Sequence, residues 1–192
     1  MIAAAVLALS TYGCAPMTAP MTALDRQRLV AHMEMTSKWL ADEVAGLSAA
    51  QVAFQPAPDR WSIAQVLEHL VVVAPIYWKN LQDALARPAR GGSAMTDADV
   101  LWYGIDRTRP DVAVRTELPP GQLRDVRSAL EQYRTHHDRL LQYVKTTQDD
   151  LRSHIVERQQ CDAYQWALLI STHEQRHILQ IREIKAHAGF PK

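Results

Sequence analysis

The sequence predicts an all-α protein, a four-helix bundle with a long connection between its second and third helices. Four long stretches repeat apolar side chains at helical spacing. Capping sequences precede three of these stretches, whereas no β-hairpin signal and no internal repeat stand out. At 192 residues the chain can hold one domain with a sizeable core. We expect that domain to span residues 22–188 and to follow a separate segment, residues 1–21.

The first predicted helix opens with a capping box formed by Thr22 and Asp25. Gly46 marks its end. The segment that follows, residues 54–60, contains two prolines and cannot be helical throughout. The inward stripe of the first helix consists of Leu29, Met33, Thr36, Leu40, Val44 and Leu47.

The second predicted helix opens at Ser62, with Gln65 three residues on. Pro75 inside this helix predicts a kink. Residues 88–121 then lose the helical pattern, which indicates a crossover or a functional loop. Two adjacent apolar stripes on this helix imply that it is buried between neighbouring helices. One stripe consists of Val66, His69, Val73 and Ile76, and the other of Leu67, Leu70, Ala74, Tyr77 and Leu81.

The third helix is followed by a polar stretch, residues 149–158, which we expect to be a loop with a short helical turn. Asp162 caps the fourth helix, which runs to about His187 before Gly189 and Pro191. The inward face of the third helix reads Leu123, Val126, Leu130, Tyr133, His137, Leu140 and Val144. That of the fourth reads Ala163, Trp166, Ile170, His173, His177, Ile181 and Ile184.

Composition excludes several classes of function. Lys plus Arg and Asp plus Glu both number 21, so the positive footprint of a nucleic-acid binder is missing. The two cysteines, Cys14 and Cys161, cannot form a disulfide framework, and their spacing fits no cysteine-based metal motif. No apolar run approaches the roughly 18 residues of a transmembrane helix.

Residues 1–21 have an apolar run and a Pro/Thr/Ala stretch, but no basic start. The Gly13-Cys14 pair resembles the end of a bacterial lipoprotein cleavage site, although Thr11 stands where an aliphatic residue is usual. The alternatives are a misplaced start codon, with Met17 or Met21 as the true start, or a flexible tail. Export or lipid anchoring at a bacterial envelope and a cytoplasmic location both stay open.

Two histidines of the fourth helix, His173 and His177, are four residues apart and so lie on one helical face. They interrupt an apolar stripe, where neutral imidazoles need partners. Two imidazoles one turn apart can share a metal ion. His69, in the apolar stripe of the second helix, is the third candidate ligand, since bundle cores build metal sites from facing helices.

The stretch His173-Glu174-Gln175-Arg176-His177 also matches the H-E-x-x-H signature of zinc proteases. Such proteases draw a third ligand from downstream and hold substrate against a sheet. Only Glu183 and His187 follow as candidates, on the same helix, and no sheet is visible. The protease interpretation therefore fails, and a three-histidine site between two helices remains.

Three imidazole ligands leave coordination positions open, as catalytic sites do. We expect a divalent ion, with zinc or nickel first and iron or manganese as alternatives. Glu174 is the nearest ionisable residue in sequence and is the candidate catalytic residue for proton transfer. It could equally be a solvated or supporting carboxylate. His137 is expected to be a core histidine rather than a fourth ligand, and His32 and His154 are expected to be solvated.

Two segments of the chain match the motifs of one known protein family. The segment from Trp61 to Leu70, WSIAQVLEHL, is similar to that family's "W-S-hydrophobic … H-L" motif. The segment from His173 to Ile181, HEQRHILQI, is similar to its "H-x-x-R-H-x-x-Q-hydrophobic" motif. The order of predicted helices agrees as well, and together these features resemble the DinB-like (DinB/YfiT-like) family of bacterial metal-binding bundles. The resemblance implies a four-helix bundle, often dimeric, with His69, His173 and His177 as metal ligands.

The resemblance leaves the reaction open. Characterised members of the family include thiol-dependent S-transferases and a mycothiol-dependent isomerase, and others are labelled metal-dependent hydrolases. We expect a metal-dependent hydrolase or thiol S-transferase that acts on an unidentified small molecule. The alternative is a non-catalytic, metal-stabilised and dimeric binding or stress-response module.

Overall fold

The computed structural model describes residues 20–108 and 125–192, and in them the chain forms six helices and two short strands. In chain order they are α1 (Ala23–Val44), α2 (Ala49–Ala53), α3 (Ile63–Leu85), α4 (Asp97–Ile105), α5 (Val126–Thr146), β1 (Ile155–Val156), β2 (Cys161–Asp162) and α6 (Ala163–Lys185). The four long helices, α1, α3, α5 and α6, form the predicted bundle. The all-α fold class is therefore confirmed.

Capping side chains set where the long helices begin. Thr22, Ser62 and Asp162 each accept a hydrogen bond from the backbone N–H three residues on, and that third residue caps in return. These three starts agree with the sequence predictions. Asp125 caps α5 with its side chain alone.

The helix α6 lies at the centre of the fold, packed against α1, α3 and α4. Its predicted inward stripe is buried along its full length, from Ala163 to Ile184. Residues of α6 belong to both apolar clusters of the core, one towards the start of the helix around Trp166 and one towards its end around Ile181. Polar side chains on this helix therefore have to find partners inside the protein.

Four elements were not predicted. A short helix, α2, follows α1, and α4 occupies part of the long connection between α3 and α5. No hairpin signal stood out in the sequence, but β1 and β2 pair antiparallel, Ile155 with Asp162 and Val156 with Cys161. Each strand is only two residues long, too short to show an alternating pattern.

Some predictions were wrong in detail or lie outside the described residues. Ile76 was assigned to the inward stripe but is 48% exposed, since it lies on the same side of α3 as Val72, one turn earlier. The cysteine of the N-terminal segment, Cys14, and the start of the third inward face, Leu123, lie outside the described residues. Within the described ranges, no helix is both long enough and apolar enough to cross a membrane.

Candidate metal centre

Three histidines from two helices meet in the core. His69 comes from the second turn of α3, and His173 and His177 come from successive turns of α6. The Nε2 atom of His173 lies 3.1 Å from Nε2 of His69 and 3.1 Å from Nε2 of His177. The side chains are 2%, 6% and 0% exposed for His69, His173 and His177. In the described part of the chain this is the one group of three or more metal-binding side chains that converge so closely.

The spacing of these nitrogens suits a metal ion. With Zn–N bonds of about 2.0–2.1 Å, two imidazole nitrogens are about 2.9 Å apart at a right angle and about 3.4 Å apart at a tetrahedral angle. The observed 3.1 Å lies between these limits. Hydrogen bonds alone satisfy the arrangement poorly. The single Nε2 of His173 faces two equivalent nitrogens, and it can either donate a hydrogen bond or accept one.

Burial keeps the three imidazoles neutral. It lowers the pKa of His69 to about 4 and that of His177 to about 3. Burial also lowers the pKa of His173 well below its ordinary value, and the neighbouring His177 and His69 lower it further. Neutral imidazole is the form that binds metal ions.

The orientation of His177 is fixed from its other side. Its Nδ1 donates a hydrogen bond to the Gln180 side-chain oxygen over 2.8 Å. Because an amide oxygen only accepts, Nδ1 carries the proton and Nε2 presents its lone pair to the centre. An outer hydrogen bond of this kind orients metal-binding histidines generally.

Aromatic rings line the centre on two sides. The indole of Trp61 is parallel to the His177 ring, with an interplanar angle of 6° and centroids 6.0 Å apart, and it also contacts His69. Tyr77 packs edge-on against His173 at 5.5 Å. These rings limit the access of water to the imidazoles.

Glu174 is buried, which contradicts the expectation that it could be a solvated carboxylate. It is 6% exposed, lies on α6 beside His173, and is not among the three converging ligands. Thr36 Oγ1 is 3.1 Å from its Oε2, and Tyr133 lies close enough to the carboxyl to influence its pKa. Burial raises the pKa of Glu174. The α1 and α5 helices that supply Thr36 and Tyr133 bury this carboxyl, and the one-dimensional pattern did not show that.

A small cavity joins Glu174 to the histidine centre. It has a volume of about 30 Å³ and a mostly apolar lining from α3, α5 and α6, and its polar lining residues are Tyr77, Tyr133, His136, His137, His173 and Glu174. A cavity of this size has room for one or two water molecules, which these polar side chains can hydrogen-bond. The arrangement places a carboxyl group and a small water site on one side of His173.

The other histidines lie apart from the centre. His137 is buried in the core, as expected, and its Nε2 is 3.1 Å from the backbone oxygen of Met33. The expectation that His32 and His154 are solvated was wrong. His32 shares hydrogen bonds with Ser171 and Gln175, and His154 Nδ1 is 3.3 Å from the backbone oxygen of Ala84.

Arg176, between the two histidines of α6, fixes the end of α4. Its Nη1 donates to the backbone oxygens of Tyr103 and Asp106, and its guanidinium lies over the Tyr103 ring. Gly104 permits this contact, since a Cβ there would lie 2.9 Å from Thr172 Cβ. The neighbouring Arg107 then reaches Glu183 on α6.

Sequence reasoning missed Gln180, Trp61 and Tyr77 as parts of the centre. Gln180 carries a signal, since it lies three residues after His177, where a side chain can reach the imidazole on the same helical face. The one signal for Trp61 is its place at the start of the W-S motif. Tyr77 carries none, because its ring contact depends on how α3 packs against α6.

A comparison with protein families found a match over the part of the chain that contains the histidine centre. A family model described as the DinB superfamily matches residues 28–181, a span that includes all three histidines and Glu174. No curated protein and no solved structure matched the chain.

Proposed function

Because the chain belongs to the DinB superfamily, we propose that it is a metal-dependent enzyme in which His69, His173 and His177 hold one divalent ion. The observation that supports this proposal is the convergence of three neutral imidazoles, in which Nε2 of His173 lies 3.1 Å from Nε2 of His69 and 3.1 Å from Nε2 of His177. Zinc or nickel suits such a donor set, and iron or manganese are alternatives. When bound, the ion supplies Lewis-acid activation of water or a thiol near neutral pH.

The side chains around the histidines have separate roles in this proposal. Gln180 holds the Nδ1 proton of His177 and so aims the Nε2 lone pair inward. Trp61 and Tyr77 pack against the imidazoles and keep bulk water away from them. Glu174 is the catalytic candidate for accepting and returning a proton at its carboxyl oxygens, with the small cavity as the place where a water molecule meets it.

Hydrolysis and transfer to a thiol both fit the donor set. The small cavity beside Glu174 favours hydrolysis, because its volume of about 30 Å³ accommodates water but not a thiol cosubstrate. A thiol would have to approach the centre from another side. The homodimer that the family resemblance implies stays a prediction, and the envelope and cytoplasmic locations both stay open.

A second candidate function has one observation in its favour. The three histidines are at most 6% exposed, as in metal sites that stabilise a fold and do no chemistry. In that case the protein is a metal-stabilised binding or stress-response module. Against it, His137 does not close the centre, since its Nε2 lies at the backbone oxygen of Met33.

Metal analysis of the full chain tests the proposal. Protein purified without chelators and incubated with zinc should contain about one ion per chain, because three neutral imidazoles converge. His177→Ala and His69→Ala should each lose at least about tenfold in zinc affinity, whereas the exposed His187→Ala should bind zinc as the wild type does. Circular dichroism checks that the variants are folded. Wild-type protein that takes up no stoichiometric ion would overturn the proposal.

Cobalt substitution separates the two candidate functions. An ion with an exchangeable position should change its visible absorption spectrum when azide or a small thiol is added. We expect that change for an enzyme. A cobalt spectrum that neither azide nor thiol alters indicates a closed site and supports the metal-stabilised module.

A further inference from the structure

A surface cleft lies next to the histidine centre. It has a volume of about 500 Å³, which is within the usual range for small-molecule sites. We call it the Trp61 cleft, and the residues that define it are Arg60, Trp61, Arg107, Gln180, Glu183 and Ile184. Its residues come from the start of α3, the end of α4 and the last turns of α6.

The Trp61 cleft shares two residues with the surroundings of the centre. Gln180 lines the cleft, and its side-chain oxygen accepts a hydrogen bond from Nδ1 of His177. Trp61 lines the cleft and is parallel to the His177 ring. A molecule in the cleft is therefore one side chain away from the imidazoles. None of the three histidines lines the cleft itself.

The charges of the cleft favour an anion. Two guanidinium groups, those of Arg60 and Arg107, face one carboxylate, that of Glu183, and both lower its pKa. Glu183 holds Arg107 through two hydrogen bonds, from Nε at 2.9 Å and from Nη2 at 2.8 Å. A guanidinium has five N–H groups, so this pair leaves donors for a ligand and keeps the group in place. Arg60 is exposed at the rim.

The same cleft has an apolar part. Trp61 and Ile184 lie beside Gln180, and Pro56 extends the wall. An indole offers a flat surface for a planar group. A pocket that combines an apolar surface with a few charged groups orients a ligand by its polar end.

We propose that the Trp61 cleft binds a small molecule that joins a planar apolar group to a carboxylate or a phosphate. This inference rests on the proposed function, because it makes the cleft the substrate-binding region of the histidine centre. The anionic group pairs with Arg60 and Arg107, and the planar part lies against Trp61. The substrate class is thus a small organic anion.

Helix α4 has a specificity role under this inference. Arg176 holds the backbone oxygens of Tyr103 and Asp106, and this places Arg107 over the last turns of α6. Arg107 therefore reaches the cleft because α4 is fixed to α6. Arg107 is a binding residue, and Arg176 is a positioning residue.

Nuclear magnetic resonance of the full chain tests the cleft. The five tryptophans each give one indole N–H signal, and Trp61→Phe identifies that of Trp61. Sodium benzoate and phenyl phosphate are the anionic probes, and benzamide is the neutral probe of equal shape. Titrations use zinc-loaded protein and protein treated with a chelator.

We expect saturable benzoate shifts at the Trp61 indole signal, with benzamide at least about tenfold weaker, since charge-assisted hydrogen bonds dominate recognition. Arg60→Gln should weaken the binding of benzoate about fivefold or more. Arg182→Gln is the matched control, because Arg182 pairs with Glu43 away from the cleft, and it should bind like the wild type. A stronger response to phenyl phosphate would identify phosphate as the anionic group, and a stronger response to benzoate would identify carboxylate.

Two results would overturn the inference. One is equal binding of benzoate and benzamide, and the other is the absence of any saturable shift of the Trp61 signal in both protein forms. Neither bears on metal binding, which zinc stoichiometry measures separately. Zinc bound by the three histidines without anion binding removes only the cleft inference. Anion binding without zinc removes the proposed function and the link from the cleft to the centre.

Discussion

A half-buried and a fully buried polar cluster lie along α6, and they are built on opposite principles. At the start of the helix, Arg152 binds Asp97 at 2.7 Å and Asp162 at 3.2 Å, and Asp25 lies at 3.6 Å. In the middle of the helix, three imidazoles of equal kind face one another. We call these the Arg152 cluster and the histidine centre.

The charged groups of the Arg152 cluster pair with one another. Its carboxylates belong to the first residues of α1 and α4 and to the cap of α6, and its guanidinium lies 3.7 Å over the Tyr164 ring. Hydrogen bonding to Arg152 lowers the pKa of Asp97. Opposite charges and helix starts supply the partners of these groups, although burial still raises the pKa of Asp162.

The histidine centre has no such internal compensation. Its three groups are all neutral bases with converging nitrogens, and Nε2 of His173 can share a proton with only one of its two neighbours. A polar cluster that the chain completes needs no ligand, whereas one that the chain leaves incomplete is compatible with an external ligand. Perturbing either the Arg152 cluster or the histidine centre tests this contrast.

The largest expected change from a single substitution comes from the Arg152 cluster. Arg152→Met leaves Asp97 and Asp162 without their cation in a half-buried site, and we expect a loss of about 3 kcal/mol in the free energy of unfolding. Urea unfolding measures the loss. The zinc stoichiometry should be unchanged, because the histidine centre is separate.

The matched control for Arg152→Met is Lys38→Met, which removes an ion pair whose two side chains are 73% and 60% exposed. It should change the free energy of unfolding by less than about 1 kcal/mol. Equal effects of the two substitutions would contradict the view that the Arg152 cluster holds three helix starts together.

The next effect is the pH dependence of the metal-free protein. Imidazole in the unfolded chain has a pKa of about 6.5, whereas His69 titrates at about 4 and His177 at about 3 in the folded protein. As pH falls below about 6.5 the unfolded chain binds protons that the folded protein does not. The stability that the neutral imidazoles contribute is therefore present above about pH 6.5. It is lost progressively as the pH falls towards the pKa values of the folded protein.

Between pH 7 and pH 5 we expect a loss of about 2 kcal/mol for each of these imidazoles, from urea unfolding in chelator. His69→Leu should lose less over the same interval. Asp97→Asn should lose as much as the wild type, because the lowered pKa of Asp97 moves its titration below about pH 4. Metal-free protein that is equally stable at pH 7 and pH 5 would argue against neutral buried imidazoles.

The smallest expected effect concerns α4, which joins the two regions. Asp97 at its start belongs to the Arg152 cluster, and Tyr103 near its end is held by Arg176. Gly104→Ala places a Cβ 2.9 Å from Thr172 Cβ. The steric cost exceeds the gain in helix propensity, and we expect a net loss of about 1 kcal/mol in unfolding free energy.

Gly189→Ala is the control for Gly104→Ala, since a Cβ there meets its nearest atom at 3.4 Å. Its free energy of unfolding should stay within about 0.5 kcal/mol of the wild type. A Gly104→Ala protein as stable as the Gly189→Ala protein would mean that α4 does not need close contact with α6.

By itself, the sequence determined the four long helices, three of their starts and the inward stripe of α6. These features depend on spacing and on caps that act within three residues, so they can be read in one dimension. The same spacing predicted that His173 and His177 share a face, and it placed His69 on an inward stripe.

Only the tertiary structure decided what surrounds those histidines. Glu174 is buried by α1 and α5, and Trp61 and Tyr77 close on the imidazoles. Arg107, which follows the end of α4, reaches the cleft. These contacts join residues far apart in the chain, and they depend on how the helices pack. Helical periodicity shows which side chains point inward, but packing decides which of them meet.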